Sequence, residues 1–101
     1  MIVIDEKLLA SFRGPGICEW CKRYAGHRHA AHVRPRQMGG GSRLDVRINL
    51  ISLCWFCHLA QHEGREPTRA DLEAVVAARE QRFQDDIEAE CLAIRRKRGR
   101  Q

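Results

Sequence analysis

The sequence predicts a small α+β domain whose two halves are stapled together by cysteine side chains, and three observations lead to that class. Cysteines recur in two equal steps, Cys18-Glu19-Trp20-Cys21 and Cys54-Trp55-Phe56-Cys57. An apolar, β-capable run, Leu50-Ile51-Ser52-Leu53, leads straight into the second step. The segments before the first step and after the second carry apolar residues at helical spacing. A chain of 101 residues is one domain, near the size at which a core alone gives thin stability. Two thiolate pairs of C-x2-C spacing complete a closed tetrahedral site, so Cys18, Cys21, Cys54 and Cys57 are expected to hold one structural zinc. A disulfide framework and a dithiol redox centre are the rival readings. Both leave the matched spacing without a purpose. Cys91 then remains as a buried thiol outside the site.

Taken in order, residues 5–13 place Leu8, Leu9 and Phe12 on one helical face, and Gly14-Pro15-Gly16 stops that helix in a lead-in covering residues 1–17. The central module spans residues 18–64. In it a short extended segment is expected over 29–33, ended by Pro35, followed by a loop at Met38-Gly39-Gly40-Gly41-Ser42. The β-capable run at 50–53 is the second strand, and from Trp55 to about residue 63 the pattern turns helical until Gly64. His58 and His62, four residues apart, fall on one face of that helix. Thr68 then caps a further helix, with Asp71 three residues on as in a capping box. Leu72, Val75, Val76, Phe83, Ile87, Cys91 and Ile94 make one apolar stripe, which predicts a single long helix over 65–98 and a short tail at 99–101. The stripe is packing surface: it covers the zinc module, or pairs with a second copy or another assembly partner. Residues from Arg95 onward are expected to fray.

The net charge of +5 is unevenly spread. Residues 22–47 set Lys22, Arg23, Arg28, Arg34, Arg36, Arg43 and Arg47 against Asp45 alone, a net +6. Residues 63–90 hold nine acids against four arginines, a net −5, and the last eleven residues return +5. A basic block inside the stapled loop is the electrostatic footprint of a chain that touches a phosphate backbone. No run approaches the roughly 18 apolar residues of a membrane span, and the N-terminus lacks the basic start and apolar stretch of a signal peptide. The expectation is a cytoplasmic protein that binds DNA and no membrane.

The stapled loop also carries an ordered series of polar residues: His32-Val33-Arg34-Pro35-Arg36-Gln37-Met38-Gly39-Gly40, then Asn49-Leu50-Ile51-Ser52-Leu53-Cys54-Trp55-Phe56-Cys57-His58, then His62. With the first cysteine pair, this series over residues 18–64 resembles the HNH endonucleases, the ββα-metal nuclease class. Residues 67–76 also resemble the helix that follows in short phage-type members. The resemblance implies metal-dependent hydrolysis of DNA phosphodiester bonds. It implies His32 as general base, Asn49 as the residue that orients the loop and the base, and His58 as ligand to a divalent ion, with His62 in reach of the same ion. These residue types suit the chemistry, because a neutral imidazole accepts a proton near neutral pH and an amide both donates and accepts without titrating. Arg34, Arg36 and Arg43, beside the base, are expected to contact phosphate. The resemblance also suggests a phage packaging partner or a homodimer through the C-terminal helix.

One position departs from the family pattern. Ala31 stands where an aspartate or histidine usually completes the metal site. His29 points to the same side of an extended strand but starts about 7 Å away along the chain. If His29 does not close that gap, the ion rests on His58 and His62. Donor sets of imidazole favour Mn²⁺, Ni²⁺, Co²⁺ or Zn²⁺ over Mg²⁺. The other reading is a non-catalytic, zinc-stabilised DNA-binding or phage assembly module that descends from such a nuclease. His27 and His29, taken alone, read as exposed or packed beside the zinc, and Trp20 and Trp55 as hydrophobic cover around it.

Overall fold

The computed structural model describes residues 2–34, 43–82 and 86–99. Strand β1 (Ile2–Val3) leads into helix α1 (Glu6–Phe12), and β2 (Gly14–Ile17) and β3 (Tyr24–His32) form a hairpin. β4 (Arg43–Leu44), a 3-10 turn (Arg47–Asn49) and β5 (Leu50–Leu53) follow, and then helices α2 (Trp55–His62), α3 (Arg69–Glu80) and α4 (Asp86–Gly99). The predicted loop at 38–42, together with Pro35, lies outside the described residues.

The main sheet is antiparallel with the order β2-β3-β5, and β1 pairs in parallel with β4 beside it. In the β3-β5 register His29 faces Leu53 and His32 faces Leu50. All four residues of β5 are buried, the pattern of a strand covered on both faces. Leu50 packs with Leu9 and Phe12 of α1, while Ser52 donates its hydroxyl to the Phe12 carbonyl at 2.8 Å. On the opposite face Ile51 and Leu53 join Ala31, Cys57, Leu72, Val76, Ile87 and Cys91 in the principal core. Helix α1, expected from sequence as a short helix within the lead-in, forms one outer layer, and α2, α3 and α4 build the other side.

Three expectations change. The first strand begins at Tyr24, not at residue 29, because the Gly-Pro-Gly segment that ends α1 pairs with it instead of remaining a loop. Gly14, at φ +84°, turns the chain from helix into that strand, a conformation that costs glycine little. The predicted long helix over 65–98 is two helices: α3 ends at Glu80, with Gln81 left-handed at φ 54° and its N–H on the Ala77 carbonyl. Leu72, Val76, Ile87 and Cys91 still reach one core, because the break lets α4 pack separately; Phe83 lies outside the described residues. The basic end that was expected to fray is helical through Gly99. The capping box of Thr68 and Asp71 is present, with both reciprocal bonds made. No helix among the described residues is long and apolar enough to cross a membrane.

Candidate metal centre and histidine cleft

Cys18 and Cys21 occupy the tip of the β2-β3 hairpin. The tip closes through Cys18 N–H on the Arg23 carbonyl at 2.9 Å and Lys22 N–H on the Cys18 carbonyl at 3.0 Å, with Lys22 left-handed. Cys54 caps the N-terminus of α2 and Cys57 sits in its first turn, so a spacing of three puts both sulfurs on one side of the helix start. The four Sγ atoms lie within 4.8 Å of one another, and no other metal-ligating group of three or more is found among the described residues. Cys21 and Cys54 Sγ are 3.9 Å apart, close to the roughly 3.8 Å edge of a tetrahedron with Zn–S bonds of about 2.3 Å. Burial raises the Cys18 thiol, but backbone N–H groups of Cys54, Cys21 and Trp20 outweigh it and bring the group down to about 7. Burial and then the neighbouring sulfurs of Cys54 and Cys18 push Cys57 well up, and Cys21 is raised first by burial. Packed thiols resist joint ionisation, and a dication removes that conflict. This centre can hold a metal ion such as zinc.

The Cys54–Cys57 step hands directly to His58, which α2 turns back over the sheet. β2 pairs with β3 only as far as Arg28, and among the described residues no strand lies beside this edge of β3 beyond that point. A cleft of about 490 Å³ lies there, lined from both faces of the strand by Ala30, Ala31 and His32, with His58, Gln61 and His62 of α2 and the exposed Arg13. Uncovering the edge is what lets His32, on the α1 side, share a cleft with the histidines of α2.

His32 does not stand alone. Its Nε2 lies 2.7 Å from Asp45 Oδ1, and Asp45, fully buried, also accepts the Asp5 N–H at 2.9 Å through Oδ2. An ionised carboxylate only accepts, so Nε2–H of His32 donates to Asp45, and in the neutral form of that ring Nδ1 carries the lone pair. Across the cleft, His58 contacts a histidine through each ring nitrogen: His29 Nδ1 at 2.8 Å from its Nδ1, and His62 Nε2 at 3.1 Å from its Nε2. His58 is held below the ordinary histidine range, first by burial and then by His62 and His29. A neutral imidazole is the ligating form. The 3.1 Å separation approaches the spacing of two nitrogens on one ion at bonds of roughly 2.1 Å.

This chain of contacts sorts the expected ligands. His58 and His62 present Nε2 atoms to each other and line the cleft, whereas His29 is not among its lining residues and meets the far nitrogen of His58. His29 thus bridges the distance left by Ala31 without sharing the His58–His62 edge. Its contact with His58 Nδ1 fixes the orientation of that ring. Ala31 itself is buried in the principal core.

Asn49, fully buried, accepts the Arg34 N–H at 2.8 Å and donates Nδ2 to the Leu44 carbonyl at 2.9 Å, while its own carbonyl takes the Val33 N–H at 2.9 Å. It ties the end of β3, directly after His32, to β4, directly before Asp45. Of the three arginines assigned to DNA, Arg34 follows the cleft strand, Arg36 lies outside the described residues, and Arg43 is described by its backbone in β4 only. Asp45, Arg13, Glu19 and Arg79 were missed from sequence. Asp45 carried a signal, as the sole acid of the basic block; Arg13 and Arg79 acquire their places only through folding.

Arg79 of α3 spends all five of its N–H donors. Nη1 reaches Glu19 Oε1 and Oε2 at 2.7 and 2.9 Å, Nη2 reaches the Arg47 and Leu50 carbonyls at 2.7 and 2.8 Å, and Nε reaches Glu80 Oε2 at 2.9 Å. Glu19 sits between the first two cysteines and accepts the Ser52 N–H at 2.6 Å. One guanidinium therefore locks the metal knuckle to the turn that presents Asn49. Trp20 packs against the core as expected, but Trp55 is 54% exposed and gives the knuckle only partial cover.

Comparison with known proteins finds no matching family model, curated protein or solved structure.

Proposed function

We propose that the chain is a metal-dependent endonuclease of the HNH class that hydrolyses DNA phosphodiester bonds, with a structural zinc on Cys18, Cys21, Cys54 and Cys57. The observation that carries this reading is a His32–Asp45 pair, its carboxylate buried and its imidazole opening on the cleft, with the His58–His62 edge lining the same solvent-open cleft. Asp45 fixes the tautomer of His32, and His32 Nδ1 accepts the proton of the attacking water. Asn49 holds the backbone on both sides of that pair through an amide that does not itself titrate. Arg13 and Arg34 supply positive charge for the phosphate. A divalent ion held by His58 and His62 would stabilise charge on the phosphate and the leaving oxygen.

The test is incubation of the protein with plasmid DNA in Mg²⁺, Mn²⁺, Ni²⁺ and Zn²⁺, beside His32→Ala and Asp45→Asn. Cleavage by the wild type that both variants lose, with DNA binding kept, supports the assignment. Cleavage retained by His32→Ala defeats it. A second reading rests on Ala31, whose buried methyl occupies the position of a ligand: a non-catalytic, zinc-stabilised DNA-binding or assembly module. Retained DNA binding with no cleavage in any ion favours that reading.

A further inference from the structure

On the other side of the metal knuckle, a pocket of about 420 Å³ is lined by Arg23, Tyr24, His27, Trp55 and Phe56 and floored by the cysteines. Its aromatic members are unusually open: Tyr24 is 70%, Trp55 54% and Phe56 74% exposed. Trp55 and Phe56 meet edge to face at 5.0 Å, a contact that covers one ring face of the pair and leaves the others uncovered by it. Three large aromatic side chains left in water by a small domain mark a contact surface. Neighbouring charge selects the occupant, since the lining contains Arg23 and His27 and no carboxylate. Aromatic faces beside cationic groups are what unpaired nucleobases and their backbone require.

The pocket is also joined to the cleft. His27 lines it, and the rings of His27, His29, His58 and His62 follow one another at centroid steps of 5.5, 5.0 and 4.7 Å, ending in the cleft. A strand with a phosphate at His58 and His62 can therefore lay a nearby nucleotide over the pocket. Duplex bases are stacked and paired and cannot offer a face to Tyr24 or Phe56. We propose that this pocket binds an unpaired base of the nucleic-acid strand whose phosphate sits in the histidine cleft, which makes the substrate a DNA with a single-stranded stretch beside the cleaved bond. The inference rests on the nuclease reading for the cleft alone; base binding at the pocket is separately measurable.

The experiment measures binding of a labelled single-stranded oligonucleotide and of a duplex of equal length by fluorescence anisotropy, without added divalent ion, for zinc-loaded wild type, Tyr24→Ala, Phe56→Ala and the double variant. Zinc content of one per chain in every protein certifies the knuckle. The double variant is expected to lose roughly tenfold or more in single-strand affinity, with duplex affinity and its salt dependence unchanged and with Phe56→Trp restoring most of the loss. Equal losses on both DNAs, or none, overturn the proposal. So does a wild-type dimer at micromolar concentration that Phe56→Ala dissolves, since a second copy is then the occupant. Selective loss of single-strand binding by the double variant, with no cleavage by the wild type in any of the ions, retains the pocket and rejects the nuclease. Cleavage of fully paired DNA that the double variant performs unchanged retains the nuclease and rejects the pocket.

Discussion

Replacing Arg79 tests whether one side chain couples the metal knuckle to the site. Arg79→Met keeps an aliphatic stem and removes every donor, together with the guanidinium that lies over the Phe12 ring at 5.2 Å. The variant strands the Glu19 carboxylate, which keeps its bond to Ser52, and leaves the Arg47 and Leu50 carbonyls without this partner. Breaking a buried ion pair costs about 3–5 kcal/mol. Arg79 and Glu19 each retain 20% exposure, so the pair falls below that range, and about 1 kcal/mol for it with roughly 1 for each of the two carbonyls gives a total of about 3 kcal/mol. Glu80 is cushioned, because Arg47 is the chief cause of its lowered carboxyl and Arg79 a lesser one. Against a total of about 5–15 kcal/mol for a domain, this is a large fraction, equivalent to a fall in Tm of more than about 10 °C. Circular-dichroism melts of zinc-loaded protein read it directly. Arg79→Lys should recover little, since an ammonium has three donors and no planar fork. A double-mutant cycle with Glu19→Gln should show coupling of about 1–3 kcal/mol. A loss under about 1 kcal/mol for Arg79→Met, or strict additivity with Glu19→Gln, would refute the lock.

Other outcomes follow from the same geometry. Cys57→Ser should leave the domain largely unfolded, and Cys91→Ala should keep one zinc per chain; metal analysis of soluble, folded protein that finds no zinc contradicts the centre. Asp45→Asn should lower kcat by two to four orders of magnitude, on the order of a base with the wrong tautomer, and leave DNA affinity near wild type; a change confined to KM would place Asp45 outside proton transfer. His29→Ala should weaken ion binding at the cleft about 10- to 100-fold, less than His58→Ala, and equal losses for the two would make His29 a direct ligand. Wild-type cleavage should favour Mn²⁺, Ni²⁺, Co²⁺ or Zn²⁺ over Mg²⁺, and Ala31→Asp should gain most in Mg²⁺; a wild type that prefers Mg²⁺ points to an oxygen donor in the cleft.

Local chemistry made much of this protein legible before folding was considered. The two C-x2-C steps, the β-capable run at residues 50–53, the capping box at Thr68 and the His58–His62 spacing are short-range patterns, and each lies in the structure where its own geometry requires. The break after Glu80 was not legible, because the apolar stripe runs through it and only the left-handed backbone at Gln81 reveals it. Nor was β2, whose glycines and proline read as a stop until β3 supplied a partner. The partners that give the site its chemistry came from tertiary structure alone. Asp45 lies 13 positions from His32, Glu19 lies 60 from Arg79, and His29 lies 29 from His58. Periodicity reports which way a side chain points from its own helix or strand. Which buried charge it meets depends on how layers stack, and here that stacking turned a basic loop with scattered histidines into a cleft with an aspartate-paired imidazole on one wall and a pair of imidazoles on the other.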